Sequence, residues 1–213
     1  MSQEDDKKAS KILKAGGIGV MPTDTLYGLV GSALKPDTVA RIYQIRKRSP
    51  NKPLIILISK LTDLKKFGVK LSPSQKEFLT KNWPGPLSVI LPCPNVKFKY
   101  LHRGTKTLAF RLPSSRPLRE LLASTGPLVA PSANPEGLPP AKTIKQAKDY
   151  FGDRIDFYSP GRVKNEPSIL ISLVGEKVVV LREGRVKKMI NDQFTIFNQL
   201  HNDYITKEKP YYV

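Results

Sequence analysis

Short apolar runs alternate with amphipathic stretches along most of the chain. Ala9, Ile12 and Leu13 share one face of a predicted helix over residues 4–15, and Gly16-Gly17 stops it. A strand follows at 18–21. A second helix is predicted over 37–46, with Asp37 or Thr38 near its cap and Val39, Ile42 and Tyr43 facing inward. Leu54-Ile-Ile-Leu-Ile58 is apolar without interruption, the pattern of a buried strand. Ser72-Pro-Ser-Gln75 is a capping box with proline at the first helical position, which predicts a helix to about residue 81.

The same alternation continues downstream. Trp83-Pro-Gly-Pro86 reads as a rigid loop, followed by strands at 87–91 and 107–112. Pro117 opens a helix with Leu118, Leu121 and Leu122 on one side, and a short strand at 128–130 ends at Pro131-Ser-Ala-Asn134. Thr143-Ile-Lys-Gln146 is a second capping box, and strands at 155–158, 169–173 and 177–182 complete the set. This order predicts an α/β fold, a single domain with a twisted mixed β-sheet flanked by helices. Phe194, Phe197, Leu200, Tyr204 and Ile205 recur at helical spacing and predict one more helix over 192–206, read as packing.

Composition narrows the function. The 213 residues carry 36 Lys and Arg against 18 Asp and Glu, a net charge of +18, which favours polyanionic or phosphorylated partners. The lysines are scattered, so charge alone does not establish nucleic-acid binding. One cysteine, Cys93, excludes a disulfide framework within the chain, and two histidines exclude a His-rich metal site. No apolar run is long enough to span a bilayer, and the charged first residues do not form a secretory signal, so the expected location is cytoplasmic.

Nothing resembles a P-loop, a Gly-x-Ser-x-Gly elbow or zinc spacing. Isolated cations and hydroxyls recur instead at the ends of predicted elements. Pro22-Thr-Asp-Thr25 with Tyr27 sits just past a strand, where α/β proteins place ligand sites, although Thr and Asp also serve as turn and cap residues. Arg46-Lys-Arg48 ends the second helix and Lys52 follows, a placement that suits either the helix dipole or phosphate. Arg111 lies inside the apolar run Leu108-Ala-Phe-Arg-Leu112, where its charge needs an internal acid or an anionic ligand. Ser132 and Asn134, Ser168, and Arg182 complete the candidates.

Taken in order, these segments resemble the YrdC-like family of threonylcarbamoyl-AMP synthases. The matching stretches are Pro22-Thr-Asp-Thr-Leu-Tyr-Gly28, Arg46-Lys-Arg48 with Lys52-Pro-Leu54, Trp83-Pro-Gly-Pro86, Ala109-Phe-Arg-Leu-Pro113, Pro131-Ser-Ala-Asn134 with Gly137, Pro167-Ser168 and Leu181-Arg-Glu-Gly184. The resemblance covers roughly residues 8 to 185 and implies a catalytic domain over 1–187, leaving 188–213 as an extension with one helix and a basic tail. It implies that L-threonine, bicarbonate and ATP give threonylcarbamoyl-AMP and pyrophosphate, with Mg²⁺ carried on the ATP phosphates. It places Thr25, Thr107, Arg111 and Ser168 around threonine. It places Arg48, Lys52, Ser132, Asn134 and Arg182 on ATP, with Arg46, Arg48, Ser132 and Asn134 as the catalytic set. No metal ligand is implied among the side chains. The implied partners are a downstream threonylcarbamoyl transferase and tRNA or double-stranded RNA on the basic surface.

Two positions depart from the family pattern: Arg46 stands where lysine is usual, and Leu57 where histidine is frequent. The competing reading is a basic RNA-binding protein without catalysis, which the charge favours and the lack of an aromatic-basic recognition motif disfavours. Carbamoyl transfer in hydrogenase maturation, which needs zinc-binding cysteines, does not suit a chain with one cysteine.

Overall fold

The computed structural model describes residues 3–175 and 178–183. Its first helix, α1 (Gln3–Ala15), ends where Gly16 turns at φ +102° and Gly17 N–H returns to the Ile12 carbonyl. A glycine suits that positive φ because a Cβ would be strained there. Strand β1 (Ile18–Pro22) runs into the turn at 23–26 and returns antiparallel as β2 (Tyr27–Ser32). All six positions of β2 are buried, so it shows no alternation and had no strand signature in the sequence.

Helix α2 (Pro36–Arg46) begins one residue before the expected position, with proline in its first turn and no side-chain cap. Thr38, one of the two expected caps, instead donates its hydroxyl to the Gly16 carbonyl at 2.8 Å, fastening α2 to the end of α1. After β3 (Ile55–Leu57) come a 3₁₀ turn at Leu61–Phe67 and α3 (Pro73–Asn82), whose Ser72–Gln75 capping box forms as expected. Strand β4 (Leu87–Pro92), a short helix α4 (Lys99–His102) and β5 (Thr107–Arg111) follow.

Helix α5 (Arg116–Thr125) is capped by Ser115 and leads into β6 (Leu128–Val129). Helix α6 (Ile144–Phe151) carries half of its expected box. Thr143 Oγ1 accepts the Gln146 N–H, but the Gln146 side chain accepts from Lys142 N–H rather than from Thr143. Strands β7 (Phe157–Tyr158), β8 (Ile169–Ser172) and β9 (Val179–Arg182) complete the described elements. The expected helix over 192–206 lies outside the described residues.

The strands form one mixed sheet in the order β7-β1-β2-β6-β3-β5-β4-β8-β9. Pairs β1–β7, β3–β5 and β4–β8 are parallel, and the rest are antiparallel. Strand alternation then sorts the side chains into two faces. Ile56, Val89, Leu91, Leu108, Phe110, Ile169 and Ile171 enter the main core. Ile55, Ile90, Ala109 and Leu170 gather in a small cluster on the other face. Small side chains there, such as Ala109 and Ala130, leave room for a cleft.

Candidate active site

That second face floors an open-mouthed cleft with a volume of about 190 Å³. One wall is the turn between β1 and β2. Its Thr23 hydroxyl donates to the Leu26 carbonyl at 2.7 Å, which closes the turn and leaves Thr25 facing the cleft. Tyr27 also lines the cleft, but its hydroxyl is used by the backbone of Gly161: it donates to the carbonyl and accepts the N–H at 3.1 Å. Tyr27 therefore staples the 159–168 segment to β2, and Asn165 N–H to the Thr25 carbonyl adds a second tie.

Arg111 occupies the cleft face of β5, on the same parity as Ala109. The sequence left its partner open between an internal acid and a ligand. The internal acid is Asp24: Oδ1 lies 3.1 Å from Arg111 Nη2, with the two side chains 3% and 5% exposed. Asp24 Oδ2 accepts the Ser114 N–H at 3.0 Å, and Thr23 Oγ1 accepts from Arg111 Nη2 at 3.3 Å. The pairing is incomplete, because Arg111 Nε is buried in the cleft wall with no hydrogen-bond partner among the described residues. A buried guanidinium N–H without an acceptor is costly, and an anionic ligand oxygen would relieve it.

The cleft is also lined by Arg46, Arg48, Ser132, Ser168 and Arg182. Arg46, at the end of α2, is 3% exposed, and its Nε donates to the Asn134 carbonyl at 2.8 Å. Arg48 Nε and Nη2 donate to the carbonyls of Lys52 and Pro53. Arg182 Nε donates to the Ser168 carbonyl at 3.0 Å and Nη2 to the Ser168 hydroxyl at 3.1 Å. Ser132 pairs with Gly28 through an isolated bridge that extends the edge of β2.

No carboxylate side chain stands among the described lining residues beside these four arginines. Burial, followed by the neighbouring Arg48, holds the Arg46 guanidinium down at about 10. Burial also lowers Arg48, while burial together with Arg111 and Arg48 lowers Arg182. Burial lowers Arg111 as well, opposed by Asp24. Arginine side chains keep their charge near neutral pH, so the cleft is lined with positive charge.

Three expected residues do not line it. Lys52 is turned to Glu136, with Nζ 2.9 Å from Oε1, and Glu136 Oε2 also accepts the Ser49 N–H. Asn134 lies behind Arg46, its side-chain oxygen accepting from Arg46 Nη2 and its amide N–H groups donating to the Pro135 and Leu138 carbonyls. Thr107 is at the far end of β5, paired with Pro92; four strand residues put it about 13 Å from Arg111. Its hydroxyl donates to Thr105. Thr107 and Arg111 share strand parity, but parity does not bring them to one place. Leu57 is fully buried and packs among Leu118 and Leu128 beneath α5.

The sequence missed the partners of Asp24 and Glu136. Glu136 had a readable signal, since it is an acid set in the Ser-Ala-Asn-Pro-Glu-Gly turn of a basic chain. Asp24 had none, because its partner is far along the sequence.

The Sua5/YciO/YrdC family model, described as telomere recombination, matches residues 11–184. The chain belongs to this family. A protein named threonylcarbamoyl-AMP synthase from Halorhodospira halophila is 31% identical over 159 residues, covering 74% of this chain and 83% of that relative. One of the same name from Pyrococcus abyssi is 33% identical over 180 residues, covering 83% of this chain. The match covers only 53% of that longer archaeal protein. The crystal structure of P. abyssi Sua5 with L-threonine superposes with a TM-score of 0.85 at 25% identity, covering 100% of this chain and 65% of that one. Escherichia coli YciO gives a TM-score of 0.77 at 25% identity, covering 87% of this chain and 93% of its own. The shared region of the family therefore contains the cleft lining as far as Arg182.

Proposed function

We propose that the chain is a threonylcarbamoyl-AMP synthase, converting L-threonine, bicarbonate and ATP to threonylcarbamoyl-AMP and pyrophosphate. The observation that carries this is the cleft itself: buried guanidinium groups, small hydroxyls and no carboxylate among the described lining residues. Forming a carbamate on threonine and adenylating it through the α-phosphate calls for charge neutralisation and positioning rather than a covalent nucleophile.

Arg111 Nε receives the threonine carboxylate, with Thr25 and Ser168 beside it. Arg48, Ser132 and Arg182 receive ATP, and Arg46 holds the Asn134 turn that presents Ser132. Lys52 reaches the phosphates after leaving Glu136. Among the described residues no group of three His, Cys, Asp or Glu side chains is placed to hold a metal ion, so Mg²⁺ is assigned to the ATP phosphates. The product then passes to a transferase acting on tRNA adenosine in the cytoplasm.

The decisive assay is pyrophosphate release with L-threonine, with serine and without amino acid, each with and without bicarbonate. Release requiring both threonine and bicarbonate supports the assignment; equal release without threonine overturns it. The +18 charge favours a second property, tRNA or double-stranded RNA binding at the basic surface. That property would show as binding that weakens steeply with salt. RNA binding without adenylate formation would replace the enzyme reading. No helix among the described residues is long and apolar enough to cross a membrane.

A further inference from the structure

Ser88 is fully buried in β4, on the strand parity that faces the cleft side of the sheet, yet it does not line the cleft. Its hydroxyl has one hydrogen-bond partner among the described residues, the Ser168 hydroxyl at 2.9 Å. Ser168 is 1% exposed, lines the cleft, and already accepts a hydrogen bond from Arg182 Nη2.

Counting protons decides the direction of the serine pair. A hydroxyl has one proton and two lone pairs. If Ser168 donated to Ser88, the Ser88 proton would be left without an acceptor in a site closed to water, which is costly. If Ser88 donates to Ser168, the unmatched proton is the one on Ser168, which lines the cleft and can meet solvent or ligand there. Both lone pairs of Ser168 are then occupied, one by Ser88 and one by Arg182. Its own proton is left for the cleft.

We propose that Ser88 is a positioning residue that makes Ser168 an obligatory hydrogen-bond donor, so that the group meeting Ser168 is an oxygen acceptor, the carboxylate of the bound amino acid. This rests on the threonine assignment of the site. The ligand ammonium and hydroxyl protons are thereby kept from Ser168, because it has no lone pair to offer them. The amine is left free for carbamate formation.

The test measures KM for L-threonine, KM for ATP, kcat and thermal midpoint in Ser88→Ala, Ser168→Ala and the double variant. Without the Ser88 donor, Ser168 can rotate and accept, so Ser88→Ala should raise the threonine KM roughly five- to tenfold. The ATP KM and kcat should stay within about twofold. In the Ser168→Ala background the same substitution should have no further effect on threonine. Ser88→Cys, close in volume and a weaker donor, should shift the threonine KM in the same direction by less.

An unchanged threonine KM in Ser88→Ala overturns the proposal. So does an equal rise in the Ser168→Ala background, which would mark a packing effect. If Ser88→Ala does not fold, Ser88→Cys decides, and a wild-type threonine KM there overturns the proposal. Threonine-independent turnover by the wild-type protein would instead overturn the functional assignment.

Discussion

The two ends of the cleft handle positive charge differently. At one end, Arg111 faces Asp24 in a pair closed to solvent, with Arg111 Nε left without a hydrogen-bond partner among the described residues. At the other end, Arg46 and Arg48 donate to backbone carbonyls and the Asn134 side chain, and the Lys52–Glu136 pair is about one-third exposed. The first end is nearly neutral and offers Arg111 Nε as a directed donor, which suits one carboxylate. The second end stays positive, with no carboxylate among the described lining residues, which suits a polyphosphate. Structural stability and anion affinity are thus assigned to different arginines.

The strongest way to break this contrast is to remove Asp24. Asp24→Ala leaves Arg111 charged and buried without its counter-ion, and should lower unfolding free energy by about 3–5 kcal/mol in urea titrations. A loss under about 1 kcal/mol would show that the pair is not structural. At the other end Arg48→Ala should raise the ATP KM by roughly 10- to 100-fold, the worth of a hydrogen bond to a charged group. Its unfolding free energy should change by less than about 1 kcal/mol. Equal stability losses in the two variants would erase the distinction.

Acid titration sharpens it further. Lys52 and the Ser49 N–H hold the Glu136 carboxyl below its usual range. A depressed folded value stabilises the protein above the unfolded pKa of about 4.3 and is lost as pH falls through the folded value. Glu136→Gln should therefore flatten the fall in urea midpoint below about pH 4 without removing the acceptor for Ser49. An unchanged slope would mean that Glu136 is not held by these partners. The smallest expected effect is at Thr107, outside the cleft: Thr107→Ala should leave the threonine KM within about twofold, while Thr25→Ala raises it. A large effect at Thr107 would restore it to the site.

Local signals explain what the sequence disclosed. The Ser72–Gln75 box, the Leu118–Leu122 stripe and the apolar run at 54–58 each depend on neighbours a few residues away, and each formed. Strand β2 gives no such signal, because it is buried on both faces and begins inside the Pro22–Gly28 motif. Arg111 was conspicuous as a charge in an apolar strand, but its partner is fixed by the meeting of the β1–β2 turn with the end of β5, which no local pattern records. Lys52 and Asn134 fell in the right loops, yet their side chains are committed to Glu136 and to the turn around Arg46. Spacing locates a loop in the sheet; it does not say which way a side chain in that loop turns.

The Tyr27–Gly161 staple and the late strands β8 and β9 also bear on how the protein is made. Thr25 and Arg111 leave the ribosome well before Ser168 and Arg182, which come from the far edge of the sheet. A nascent chain can therefore bring the Asp24–Arg111 pair together while half of the cleft is still unmade. Its two halves can meet only after residue 182 has emerged, so the capacity for chemistry is the last thing a growing chain can acquire.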